Sequence, residues 1–175
     1  MYRTVVSSPV GLLHLCSDGS AITGLWLEGQ KYFPSDLEIN TELKPELPVF
    51  HMAEDWLQAY FEGKPHPPLP PLRPQGSAFR QAVWALLRQI PPGDTVTYGQ
   101  LAETLRKNGV SAAAQAVGGA VGHNPISILI PCHRVVGADG SLTGYAGGID
   151  VKKQLLQLEG VEISRFSVPK RGKAR

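Results

Sequence analysis

The chain is poor in cysteine: of its 175 residues, only Cys16 and Cys132 carry a thiol. They lie far apart, with no CxxC and no Cys/His cluster. That excludes a disulfide scaffold and a zinc site and fits a reducing compartment. No run approaches the eighteen or so apolar residues of a membrane span, and Met1-Tyr2-Arg3-Thr4-Val5-Val6 lacks the apolar centre of a signal peptide. A cytoplasmic protein with no membrane partner is therefore expected. Net charge is small, a formal +2 with an isoelectric point near 8.6, which allows a polyanionic partner without announcing one. Much of that excess sits in Lys170-Arg171-Gly172-Lys173-Ala174-Arg175, which reads as a solvated end. The phosphate-cradling patterns GxGxxG and GxxxxGKS/T are also missing.

A hydrophobic content of 42% with 18% charged residues is ordinary for a globular chain, and the length allows one large domain or two small ones. Tyr2 to Ser7, Leu12 to Ser17 and Ala21 to Leu27 read as three strands of an antiparallel meander, with Asp18-Gly19 as a tight turn. Lys31 to Pro48 reads as a loop. Phe50, Ala53, Trp56, Leu57, Tyr60 and Phe61 recur at helical spacing, so a helix is expected from Val49 to Phe61. The prolines from Pro65 to Pro74 then forbid helix and ladder alike and predict a semi-rigid linker. A domain boundary near residue 75 follows, dividing the chain into 1–75 and 76–175.

Ser77 offers an N-cap to a helix whose Phe79, Ala82, Val83, Leu86, Leu87 and Ile90 form one stripe, with Trp84 facing elsewhere, toward the other domain or another helix. Thr97 with Gln100 makes a capping box, which starts a helix at Tyr98 that buries Leu101, Ala102 and Leu105. Ser111 can cap a second helix from Ala112 to about Gly122, and the pair predicts a helix-turn-helix. This second helix has no charged residue, and each interior glycine costs roughly 1 kcal/mol against alanine. Such glycines suit a close approach by a neighbouring helix or by a ligand such as a nucleic-acid backbone. Farther on, Ser141 to Gly148 is a glycine-dense loop. Asp150 can cap a last helix from Val151 to Glu159, with Val151, Leu155 and Leu158 inward and Lys152 and Lys153 outside. Residues 161–175 suggest no element. The fold class is α+β: a small N-terminal antiparallel sheet plus a helix, joined to a mostly helical C-terminal domain.

The stretch that carries chemistry is Asn124-Pro125-Ile126-Ser127-Ile128-Leu129-Ile130-Pro131-Cys132-His133-Arg134-Val135-Val136. A thiol and an imidazole follow directly on an apolar run. Adjacent residues on an extended strand point to opposite faces, and a cysteine after Ile-Leu-Ile is more often an inert core residue than a nucleophile.

Several motifs in one order decide between these. Thr97-Tyr98-Gly99-Gln100-Leu101-Ala102, then Asn124-Pro125 with Ile130 to Val136, then Gly144-Tyr145-Ala146-Gly147-Gly148 and Leu155 to Gly160 resemble the O6-alkylguanine-DNA alkyltransferases, or methylated-DNA–protein-cysteine methyltransferases. The resemblance covers about residues 77–160; the first half is similar in outline. It implies a monomeric, cofactor-free repair protein, without a metal, that acts on double-stranded DNA containing O6-alkylguanine. The flipped base would give its alkyl group to Cys132. His133 would take the thiol proton through a water, Glu159 would orient the imidazole, Asn124 would be the hinge before the reactive strand, and Tyr98 would donate to the guanine ring. The carbonyls of Cys132 and Val135, with Tyr145, Ala146 and Gly147, would line the pocket. Gln115, with Ala113, Ala114, Ala116 and Gly118, would face the minor groove.

The chain departs from the family at Gln115, which stands where an intruding arginine is usual, and in the longer turn from Arg106 to Ser111. Both lead to an expectation of weaker DNA binding or slower flipping, with transfer retained. A lesion-binding sensor and a Cys-His thiol hydrolase are the alternatives. The presence of Cys132 weighs against the first, and the lack of a distant base or a legible oxyanion hole against the second.

Overall fold

In a computed structural model that describes residues 1–168, the chain divides into two compact units. One comprises Met1–Gln75 with Pro125–Leu129; the other comprises Gly76–Asn124 with the chain from Ile130 on. The basic tail from Lys170 to Arg175 lies outside the described residues.

In the first unit, β1 (Tyr2–Ser8), β2 (Gly11–Ser17) and β3 (Ile22–Leu27) form the expected antiparallel meander. The stretch from Lys31 to Pro48 is more than a loop. It contains a short helix, α1 (Leu37–Asn40), and a two-residue strand, β4 (Glu42–Leu43), which pairs parallel to β1 and completes the order β3-β2-β1-β4. Arg3 secures this addition by donating from Nη1 to the Thr41 carbonyl at 2.6 Å, a contact between residues too distant in sequence for periodicity to announce. The helix α2 (Pro48–Phe61) buries Val49, Phe50, Ala53, Trp56, Leu57 and Tyr60, while the sheet supplies Leu13, Leu15, Ile22 and Leu25. Each such side chain contributes roughly 1.5–3 kcal/mol on burial.

The outer side of β3 is covered without a further strand. Its start is bridged by the proline-rich segment, with Ile22 N–H donating to Pro71 O and Arg73 N–H to Ile22 O, both at 2.8 Å. Arg73 also pairs with Asp18. The proline segment is thus docked at its end, because Arg73 retains an N–H that the prolines lack. Farther along β3, Leu25 N–H donates to Pro125 O and Ser127 N–H to Leu25 O.

In the second unit, α3 (Ala78–Leu87) begins at Ser77, whose hydroxyl accepts from Arg80 N–H at 3.2 Å. Trp84, off the apolar stripe, finds another helix: its indole donates to the Ala120 carbonyl at 2.8 Å, satisfying a last-turn acceptor that has no helical partner. The capping box forms in full before α4 (Tyr98–Lys107). The next helix, α5 (Ala114–Gly122), starts later than Ser111 would have it. Its N-cap is Ala113, which makes no side-chain cap, and Ser111 lies in the turn, where Arg106 Nη1 donates to Ala112 O at 2.7 Å. Two short strands, β5 (Val96–Thr97) and β6 (Val135–Val136), pair in parallel. They fasten the start of α4 beside the segment that follows Cys132.

The last helix, α6 (Ile149–Leu158), also departs from its sequence reading. Its N-cap is Gly148 with φ +95°, Asp150 lies inside the first turn, and the buried residues are Lys152, Leu155 and Leu156. Leu158 is exposed. The helix is rotated from the expected face because Leu156 joins Val136, Leu142 and Val161 in a core cluster, which turns Lys152 inward with it. Beyond it lie a 3-10 turn, Ile163–Arg165, and a bridge between Ser141 and Ser167, where no element was expected.

Candidate active site

Cys132 does not end a strand. The chain from Asn124 reaches it through two γ-turns. In the first, Leu129 N–H donates to Ser127 O at 2.8 Å around Ile128, whose φ of +70° is strained for a β-branched residue. In the second, Cys132 N–H donates to Ile130 O at 2.8 Å around Pro131, at φ −82° and ψ 65°. Asn124, itself buried, donates from Nδ2 to that same Ile130 oxygen at 2.8 Å. One carbonyl therefore ties the asparagine to the backbone of the cysteine.

Cys132, His133 and Arg134 form a single 3-10 turn, all buried. The turn removes the opposite-faces objection, which applies to extended backbone. The carboxylate of Glu159 stands at the C-cap of α6 with its side chain 1% exposed, and it accepts from His133 Nε2 at 2.7 Å. It also receives Arg134 as a fork, Nε to Oε1 and Nη2 to Oε2, both at 2.8 Å. The remaining terminal nitrogen of Arg134 donates to the Ile90 carbonyl.

A carboxylate can only accept, so Nε2 of His133 carries the hydrogen and Nδ1 is the basic nitrogen. Nδ1 is buried with no hydrogen-bond partner among the described residues. Burial pulls the His133 pKa below its ordinary value, against the pull of Glu159, so at rest the ring is neutral and able to take a proton. Burial pushes the Cys132 thiol up, opposed by Asn124 and by the charge of Lys152. At rest the thiol is protonated, and to act as a nucleophile it would need a base.

Tyr98, the first residue of α4, donates its hydroxyl to Thr143 O at 3.2 Å, and burial together with nearby Cys132 raises its pKa to about 12. It is a neutral donor at any physiological pH. Tyr145 is buried, its ring edge-on to His133 with centroids 6.4 Å apart; Ala146 and Gly147 follow it, half-buried. Val135 is fully buried and its carbonyl accepts from Lys152 Nζ at 2.5 Å.

The DNA-facing candidates form a surface instead of joining this cluster. Ala113, Ala114, Gln115 and Ala116 are exposed, whereas Gly118 turns partly inward, where an added Cβ would lie 3.9 Å from the Tyr98 ring. At Gly119 and Gly122 an added Cβ would meet nothing within 4 Å. Among the described residues, no neighbouring helix requires those two glycines.

Two polar residues of the site escaped sequence reasoning. Arg134 enters the sequence motif with no role of its own, and the stripe through Val151 and Leu158 puts Lys152 outside. The signal for Lys152 was the i, i+3, i+4 spacing of residues 152, 155 and 156, which competes with the stripe through Val151 and Leu158.

A family model described as 6-O-methylguanine DNA methyltransferase, DNA binding domain, matches residues 78–161, and one described as 6-O-methylguanine DNA methyltransferase, ribonuclease-like domain, matches residues 1–73. The chain is similar to the methylated-DNA–protein-cysteine methyltransferase of Haemophilus influenzae, with 47% identity over 160 residues, 91% of this chain and 86% of the relative. The protein of that name from Mycobacterium tuberculosis H37Rv is 46% identical over 158 residues, 90% of this chain and 91% of its own. Among solved structures, Mycobacterium tuberculosis OGT in complex with DNA resembles the chain with a TM-score of 0.81 at 41% identity, covering 95% of each. The likeness extends through the N-terminal half.

Because the Cys132 thiol is held above its ordinary pKa, its reaction with iodoacetamide in the free protein is expected to be slow at neutral pH. It should still be climbing where an ordinary cysteine has levelled off. Peptide mass mapping distinguishes Cys132 from Cys16 and measures this; a plateau already reached at neutral pH would reveal a pre-formed thiolate and contradict the assignment.

Proposed function

The chain belongs to the methylated-DNA–protein-cysteine methyltransferase family, and we infer that it repairs O6-alkylguanine in DNA by moving the alkyl group onto its own Cys132. The observation that carries this reading is the set of bonds on Glu159, which occupies Nε2 of His133 and leaves Nδ1 as a buried base in the same turn as the thiol.

The alkyl group of a stacked base is out of reach of a buried thiol, so the nucleotide is flipped out, at a cost of a few kcal/mol. The uncharged face of α5 lies in the minor groove, where small side chains permit close contact and the base-edge pattern is degenerate. The thiol proton passes to His133 Nδ1 through a water. The Cys132 sulfur attacks the alkyl carbon, the C–O6 bond breaks, and its electron pair moves into the guanine ring. Tyr98 donates to that ring as the charge grows, and the guanine takes up one proton on release. The carbonyls of Cys132 and Val135 hold the exocyclic amine, while Tyr145, Ala146 and Gly147 close the pocket. The product is a thioether with no second nucleophile among the described residues to cleave it, so each molecule acts once.

Residues 76–175 carry DNA binding and transfer, with the functional boundary near residue 75. On this reading the protein acts as a monomer, and a free acceptor thiol suits the cytoplasm. Neither the sensor nor the hydrolase reading is favoured by any contact in the site.

Incubation with duplex DNA containing O6-methylguanine should add a single methyl to the peptide holding Cys132, and none in Cys132→Ala; multiple turnover, or methylation elsewhere, would contradict suicidal transfer. Replacing Gln115 by Arg should tighten duplex binding and quicken repair, measured by anisotropy and single-turnover assay. Unchanged values would mean the missing arginine is irrelevant. Gly119→Ala should stabilise the fold by about 1 kcal/mol in urea unfolding yet weaken duplex affinity; retained affinity would remove the close-approach account of α5.

A further inference from the structure

Lys152 is 1% exposed, yet no carboxylate among the described residues pairs with it. An ammonium group has three donors, and here two are accounted for: Nζ donates to Val135 O at 2.5 Å and to Thr143 O at 2.8 Å. The first carbonyl lies in β6, directly after the Cys132–Arg134 turn. The second also accepts the Tyr98 hydroxyl. Lys152 therefore ties α6 to the segment that follows the nucleophile and to the carbonyl on which Tyr98 rests.

Carbonyl oxygens solvate a buried cation only in part. An unpaired charge in such a place is costly, and an apolar side chain of similar length would avoid the cost. The cost is visible: burial brings the Lys152 pKa down to about 8, and Cys132 is the one group that acts to raise it. Cys132 and His133 from the 3-10 turn feel the charge of Lys152, and Tyr98 from α4 shares the Thr143 carbonyl with it. Of these, Cys132 becomes negative as alkyl transfer begins, while His133 becomes positive. A fixed cation in a low-dielectric site stabilises charge that develops there and needs no reorganisation at that moment.

We propose that Lys152 is a positioning residue for alkyl transfer: its ammonium group holds the Val135 and Thr143 carbonyls in register and lends its charge to the Cys132 thiolate as that forms. This rests on the transfer reading above, but its central test needs no DNA. In Lys152→Met, the pH profile of Cys132 carbamidomethylation by iodoacetamide should move to higher pH by about one unit, which is about tenfold in rate at a fixed pH below the plateau. Single-turnover methyl transfer from saturating O6-methylguanine duplex should fall by a similar factor while duplex affinity is retained, and Lys152→Arg should restore part of the rate. A merely structural lysine would alter folding stability and leave the profile in place. A folded Lys152→Met protein with the original profile overturns the proposal.

Should that variant fail to fold, the unsubstituted protein still decides. The Lys152 side-chain carbon resonance, titrated before and after carbamidomethylation of Cys132, should show a lower pKa once the sulfur can no longer carry charge. Identical titrations in both forms would overturn the coupling. If the unsubstituted protein shows no methyl transfer while the iodoacetamide profile shifts, the repair reading fails and the charge coupling stands.

Discussion

The Glu159 carboxylate is the interaction on which the site depends. It receives a bidentate guanidinium from Arg134 and a ring N–H from His133, all beneath the surface. Breaking a buried pair by removing one partner is far costlier than the net worth of the pair, so the three side chains specify one another's positions. Arg134 and His133 are consecutive, and a single 3-10 turn delivers both to one carboxylate. The arrangement also assigns protons. With Arg134 offsetting the carboxylate charge, burial keeps the imidazole neutral, and the hydrogen on Nε2 leaves Nδ1 as the atom that can accept one.

A second constraint is the path of backbone into the cysteine. Ile128 at positive φ and the inverse γ-turn at Pro131 both depart from regular structure, and Asn124 holds the Ile130 carbonyl between them. Strain of this kind persists only where surrounding contacts over-determine it. Here the β5–β6 pairing, the Asn124 bond and the Lys152 bond to Val135 act on neighbouring residues. The thiol is consequently presented at a fixed point, in surroundings that suppress its ionisation.

The α5 helix shows the opposite economy. Its buried side, Val117, Ala120 and Val121, packs within its unit, and Trp84 satisfies the Ala120 carbonyl. Its outer side carries no charge, and two of its glycines face open space. The propensity given up at Gly119 and Gly122 brings no close contact among the described residues, as suits a helix surface kept open to DNA.

Local order was legible in the residues themselves. The Thr97–Gln100 capping box, the Ser77 cap, the three-strand meander and the helices around Trp56 and Val83 depend on side chains a few positions apart, and all appear in the structure. The stretch around Cys132 pointed to chemistry only through its resemblance, together with motifs far along the chain, to a known family. The structure departs from that local order where neighbouring residues are equally good candidates. Ser111 and Asp150 are good caps that lost to turns set elsewhere, and β4 forms because Arg3 reaches a residue far along the chain. Lys152 lay between two helical stripes, and only the core cluster around Leu156 decided which face turned inward. Sequence by itself thus determined most of the regular elements, because those follow from short-range sterics and hydrogen bonds, and it singled out Cys132 only through the family's ordered motifs. Tertiary structure alone decided which charges are buried around Cys132, because burial of an ionic group depends on long-range packing that has no local signature.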